Sequence, residues 1–99
     1  MIKHININRG TIFLRKIKIY GLVQGIFFRA TAKEKADQLE ISGFAKNISD
    51  GSVYIEAEGK KENLDEFVKW CSIGPSLAQV EKVIVTEGDF KNFSEFEVS

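Results

Sequence analysis

An arginine placed just after a glycine-bracketed loop, and an asparagine further along the chain, are the residues whose types and spacing could do chemistry here. The stretch GLVQGIFFR, Gly21 to Arg29, reads as a strand running into a loop that opens a helix, with Arg29 in the first turn of that helix. The first backbone N–H groups of a helix have no partner within it and carry a partial positive charge, so a cation there costs a few tenths to about 1 kcal/mol unless an anion joins it. Such an arrangement asks for an anionic guest, and phosphate is the usual one. Arg29 would meet phosphoryl oxygens with its guanidinium fork, and the loop from Val23 through Gln24, Gly25 and Ile26 to Phe27 would offer backbone amides. Asn47 would orient an attacking water through its side-chain amide. The plainer alternatives are a tight strand-to-helix turn with a solvated arginine and, for Asn47, a residue beside the Asp50-Gly51 turn.

What is missing near these residues narrows the reaction. No acidic pair, histidine or metal-ligand cluster accompanies them, because the only histidine is His4 near the start and Cys71 sits at helical spacing among apolar residues. A phosphomonoesterase would struggle with such parts. An acyl phosphate would not, since the carboxylate that it releases is a stable anion near neutral pH and needs little help from a general acid. Phosphoryl transfer rests mostly on positioning and electrostatics, and the substrate's own phosphate oxygen can take the proton of the water. No metal and no cofactor are expected.

Two motifs carry a resemblance to the acylphosphatase family. The family's first pattern is an aliphatic residue, any residue, Gly, any residue and Val-Gln-Gly, then Val or His, any residue, Phe or Met, and Arg. Ile19 to Arg29 run through it, with Ile26 where the pattern has Val or His. In the second, Gly43, Phe44, Ala45, Lys46, Asn47, Gly51, Val53 and Gly59 fill every slot, and GPSLAQV at Gly74 to Val80 is similar to the stretch after the family's second helix. The resemblance spans Thr11 to Ser99. It implies hydrolysis of the carboxyl-phosphate anhydride bond to a carboxylate and inorganic phosphate, with Arg29 and Asn47 in the roles described above.

Composition sets limits on partners. The chain has 99 residues, 43% of them hydrophobic, enough for one modest core. Lys plus Arg and Asp plus Glu both number 14, which leaves no net field to draw in nucleic acid or an anionic membrane. The single cysteine cannot form an internal disulfide, which fits a reducing compartment. No apolar stretch approaches membrane-spanning length, and MIKHININRGT lacks the apolar core of a signal peptide. A cytoplasmic monomer is expected, with an acyl phosphate as substrate and inorganic phosphate or sulfate as a competing anion.

The hydrophobic period places these residues on elements. Ile12 to Tyr20 alternates as a strand, with Phe13, Ile17 and Ile19 on one side; Phe28, Ala32, Ala36 and Leu39 predict a helix to Ile41, closed by Gly43. A strand then runs through Asn47, and Asp50-Gly51 predicts a hairpin into a third strand with Val53, Ile55 and Ala57 inward and Tyr54, Glu56 and Glu58 outward. Leu64, Phe67, Val68 and Cys71 form a second helix face closed by Gly74 and Pro75; strands follow over Ala78 to Val85 and around Phe96 and Val98. This is the α+β, ferredoxin-like βαββαβ sandwich, with two helices on one face of a mainly antiparallel sheet, over residues 12–99 after a flexible leader at 1–11. In that arrangement the third strand lies between the first two, so the loop after strand one and Asn47 after strand two meet at one edge.

Two rivals share the topology. RNA-recognition motifs stack bases on the aromatics of an open sheet face, but Glu56 and Glu58 would repel phosphates there. A domain that handles carbamoyl phosphate inside a larger maturation enzyme would carry the same motifs, and a chain ending at Ser99 favours a free-standing hydrolase. Nothing in the loop is expected to select among acetyl phosphate, carbamoyl phosphate and 1,3-bisphosphoglycerate.

Overall fold

β1 (Ile12–Leu22) turns Ile17 and Ile19 into a core shared with Phe28, Ala32, Leu64 and Phe67. The structure is a computed structural model that describes residues 12–99; the leader, with Ile5 and Ile7, lies outside the described residues. Phe13 departs from the expected pattern. It is 41% exposed, whereas Leu14 on the opposite face is buried beside its cross-strand partner Gly88.

α1 (Phe28–Gln38) buries Phe28, Ala32 and Ala36 along one stripe. It stops at Gln38, short of Ile41, and the residue that ends it is not a glycine. Ile41 N–H returns to Ala36 O at 2.8 Å and Glu40 N–H to Asp37 O at 3.2 Å, with Glu40 left-handed at φ 57°. These paired bonds satisfy carbonyls that the helix end would otherwise leave open, and the buried Ala36 and Ile41 accompany them. Gly43, expected to close the helix, instead lies within β2 (Ser42–Asn47).

The hairpin forms as read. β3 (Val53–Lys60) pairs antiparallel with both β1 and β2, and α2 (Lys61–Cys71) follows it directly, burying Leu64, Phe67 and Cys71. β4 (Gln79–Gly88) pairs with the outer side of β1 and runs past Val85, the expected end. β5 (Phe96–Val98) adds to β2 in parallel, so the sheet order is β4-β1-β3-β2-β5. A strand of three residues has little stability of its own. Phe96 supplies the rest: it is 1% exposed, packs edge-on to Phe67 at 6.1 Å, and its carbonyl accepts a hydrogen bond from Lys33 Nζ at 2.9 Å. Burial of one such ring is worth roughly 2–3 kcal/mol. No helix among the described residues is long and apolar enough to cross a membrane.

The sheet face away from the helices is partly covered: Tyr54 faces outward and is half-buried, but Glu56 and Glu58, expected to be open to solvent, are buried. The segment between β4 and β5 crosses it as a strap. Glu58, 2% exposed, accepts backbone N–H groups from Lys91, from Asn92 at 3.1 Å and from Phe93 at 2.8 Å. Asn92 is left-handed at φ 60°, the turn that aims successive N–H groups at one anion. Glu56, 5% exposed, accepts from Tyr54 Oη at 2.7 Å and Lys91 Nζ at 2.9 Å. Burial pushes the Glu56 carboxyl up, but these two bonds outweigh it and hold the carboxyl below its ordinary value. Burial likewise pushes the Tyr54 phenol up, so it stays protonated as a donor. Phe93 closes edge-on over Phe44 at 5.8 Å and Tyr54 leans on Phe44 at 6.0 Å, so these rings pack on one another and are half-buried. Removing the Glu58 carboxylate strands three N–H donors, each costing about 1–3 kcal/mol if left without a partner, part of which water restores. Glu58→Ala is therefore expected to lower unfolding stability by about 3 kcal/mol in urea titration, and Glu58→Gln, which keeps one acceptor oxygen, by less than half as much.

Candidate active site

Between Leu22 and Phe28 the backbone makes a short loop in which Gly25 (φ 77°) and Phe27 (φ 65°) are both left-handed. Alternation in the sign of φ across Gly25, Ile26 and Phe27 turns successive N–H groups toward one concavity. Phe27 is the N-cap of α1 and places no side-chain hydrogen bond on the helix, and the first turn holds no acidic residue. The first amides of α1 thus have no side-chain partner. Gly21 serves a different end. A Cβ there would fall 2.1 Å from the carbonyl oxygen of Gln79, so this glycine admits the pairing of β1 with β4. A Cβ on Gly25 would meet nothing within 4 Å, and its positive φ is what the loop requires.

A cavity of about 250 Å³ opens beside this loop. Val23, Gly25 and Phe27 line it from the loop, Phe28, Arg29 and Ala30 from α1, Asn47 from the end of β2 and Val98 from β5. The two motifs picked from the sequence therefore meet at the shared carboxyl-terminal edge of β1 and β2. Arg29 is oriented by a hydrogen bond from its guanidinium to the Ser99 carbonyl, and no side-chain carboxylate among the described residues pairs with it.

Gln24 and Ile26 stand in the loop without lining the cavity. Ile26 packs against the core, and the Gln24 side chain points at the neighbouring hairpin, where Nε2 donates to Ile48 O at 2.8 Å and Ser52 O at 2.9 Å. This amide ties the loop to the turn that follows Asn47. Sequence reasoning missed Phe28, Ala30, Val98 and the Ser99 carbonyl. The first two could have been read from their place in the helix's first turn; nothing local in the sequence announces that β5 lies against β2. Cys71, fully buried, has its thiol pushed up by burial, which keeps it protonated and unreactive.

The hairpin has its own electrostatic lock. Asp50 Oδ1 accepts from the Ser52 hydroxyl at 2.6 Å and the Ser52 amide at 2.9 Å, and Oδ2 lies 3.2 Å from Lys18 Nζ. These contacts, the Ser52 hydroxyl foremost, hold the Asp50 carboxyl down at about 2.

An α+β sandwich of ferredoxin-like topology with a cavity lined by Arg29 and Asn47 at the sheet edge is the class that this geometry defines. The acylphosphatase family profile matches residues 15–98. The acylphosphatase of Alkalilimnicola ehrlichii is 47% identical over 72 residues, 73% of this chain and 81% of that protein. The solved acylphosphatase of Coxiella burnetii superposes with a TM-score of 0.89 at 31% identity, over 92% of this chain and 96% of the other. Full-length HypF in a phosphate- and nucleotide-bound form superposes with a TM-score of 0.80 at 27% identity, over 89% of this chain but 12% of the larger one. The chain belongs to the acylphosphatase family.

The Asp50 lock predicts an acid response. Because its folded-state value lies below the ordinary 3.8, its contribution to stability is present above that value and is lost as pH falls toward 2. Urea midpoints measured from about pH 5 to pH 2 should decline, and Asp50→Asn should flatten the part of the decline below about pH 4.

Proposed function

We propose that the protein hydrolyses acyl phosphates at this cavity. The observation that carries the reading is the convergence of Arg29, Asn47 and the uncapped first amides of α1 on one small cavity. Arg29 and the loop amides hold the phosphoryl oxygens, and the bond from Arg29 to the Ser99 carbonyl sets the direction of the guanidinium. Asn47 positions a water for attack on phosphorus. As the new P–O bond forms, the bond from phosphorus to the carboxyl oxygen breaks and the carboxylate leaves with the electron pair. A phosphate oxygen takes the proton of the water, so the products are a carboxylate and dihydrogen phosphate. Arg29 balances the charge spread over the phosphoryl group, the role that a metal plays in many phosphotransfer sites.

A free-standing hydrolase is favoured over a carbamoyl-phosphate domain of a larger enzyme, because the curated relative named above is matched over most of its length. The protein acts as a cytoplasmic monomer, without a metal or other cofactor. Inorganic phosphate and sulfate compete with substrate for the same amides.

The test is turnover of benzoyl phosphate in EDTA, beside an ordinary phosphomonoester. Hydrolysis of the first but not the second is expected, with competitive inhibition by inorganic phosphate; activity that appears only on adding magnesium overturns the metal-free mechanism. Asn47→Ala should lower kcat by roughly two to three orders of magnitude, the scale for removing one positioned polar group, with little change in KM. Arg29→Ala should damage both terms and abolish phosphate binding in calorimetry, and Arg29→Lys should also be poor because a point charge cannot reproduce the fork. Cys71→Ser should turn over normally while melting at a lower temperature, as suits a packing residue.

A further inference from the structure

Phe27 is an uneconomical residue for its position. Its backbone is left-handed at φ 65°, a conformation that glycine adopts freely and that an aromatic residue enters only under strain. Its ring gains no packing in return, being 80% exposed and in none of the aromatic pairs found among the described residues. A glycine would close this turn without strain and without setting an apolar ring in water. Strain and exposed apolar surface that coincide at a ligand cavity point to a use for the ring.

Phe27 lines the same cavity as Arg29 and Asn47, and its exposure puts the ring at the mouth rather than the floor. Val98, 41% exposed, is a second bulky apolar side chain of that cavity reached by solvent, beside the small exposed Ala30. Any phosphate held by Arg29 and the loop amides must direct its acyl end outward, because the inner wall is formed by buried Val23 and Phe28. At the mouth that acyl end meets an aromatic face and a branched aliphatic side chain, and among the described residues no charged one other than Arg29 lines the cavity.

We infer that Phe27 and Val98 form an apolar lip that receives the acyl group, so that this site discriminates in favour of phosphates of uncharged, apolar acyl groups. The loop expected to be indifferent to the acyl end thus contains a specificity determinant. A carbamoyl group, whose amide hydrogen bonds find no partner on such a lip, and an acyl group that bears a second phosphate both gain nothing there. The inference rests on the acyl phosphate hydrolysis proposed above.

The experiment compares kcat/KM for benzoyl, butyryl and acetyl phosphate in the wild-type chain, Phe27→Gly, Phe27→Tyr and Val98→Ser. The quantity read is the ratio of benzoyl to acetyl kcat/KM, which cancels any disturbance of the phosphate cradle common to all substrates. We expect butyryl to fall between the other two in the wild type. In Phe27→Gly the benzoyl-to-acetyl ratio should drop by about tenfold, the scale of one aromatic face withheld from an apolar ligand. Phe27→Tyr should keep the wild-type ratio, and Val98→Ser should lower it by a factor of about two to four. Thermal melting of Phe27→Gly should match or exceed that of the wild type, since the strain is relieved. A ratio that is the same in Phe27→Gly as in the wild type overturns the lip, even if all rates fall together. Failure of the wild type to hydrolyse any of the three substrates overturns the acyl phosphate reading instead.

Discussion

The cavity at the sheet edge depends on β3 running between β1 and β2 and antiparallel to both. Backbone hydrogen bonds to one central strand force the outer two to point the same way, so their carboxyl ends emerge side by side. Neither motif could form the cavity alone. The loop after β1 holds the amides and Arg29, and the end of β2 holds Asn47. The sheet brings them together before any side chain has acted, and the Gln24 amide then fixes the separation by binding the carbonyls of Ile48 and Ser52.

A second constraint comes from the other end of the chain. Glu58 on β3 gathers the amides of Lys91, Asn92 and Phe93, which lays the strap across the sheet and delivers β5 to the free side of β2. β5 brings Val98 to the cavity and the Ser99 carbonyl to Arg29. The buried carboxylates are thus tolerated because Glu56 accepts two hydrogen bonds and Glu58 three; left unpaired in the same surroundings, either would cost several kcal/mol. One strand supports the site in two ways, through its pairing and through the side chains on its outer face.

Most of the architecture was legible because it is local or topological. Alternation marked β1 and β3, Asp50-Gly51 marked the turn, and the order of elements dictated which strands could neighbour one another. The cavity followed from that order, which is why Arg29 and Asn47 meet as expected. Most of the errors come from non-local partners. Glu56 and Glu58 read as solvent-facing because most of their donors, from Lys91 to Phe93, come from a segment more than thirty residues away. Gln24 was read for its amide in the loop, whereas its side chain faces carbonyls of the hairpin. β5 has three residues, too few for a period to show, and its parallel pairing with β2 follows from the burial of Phe96. The end of α1 was misplaced because a glutamate, Glu40, takes the left-handed position that glycine usually fills.

One sheet edge is β5, with three residues, and the other is β4, with ten. The longer edge leaves Ile84 and Val85 partly exposed, and among the described residues one side of its backbone has no strand neighbour, the kind of surface on which a second chain can add itself. The formal net charge is +0, so copies of the protein do not repel one another as whole bodies. Keeping them apart falls to the individual charges along the edge, Glu81, Lys82 and Glu87, each exposed to solvent. Charges on the longer edge thus act against pairing between copies, a use of surface charge separate from the chemistry at the cavity.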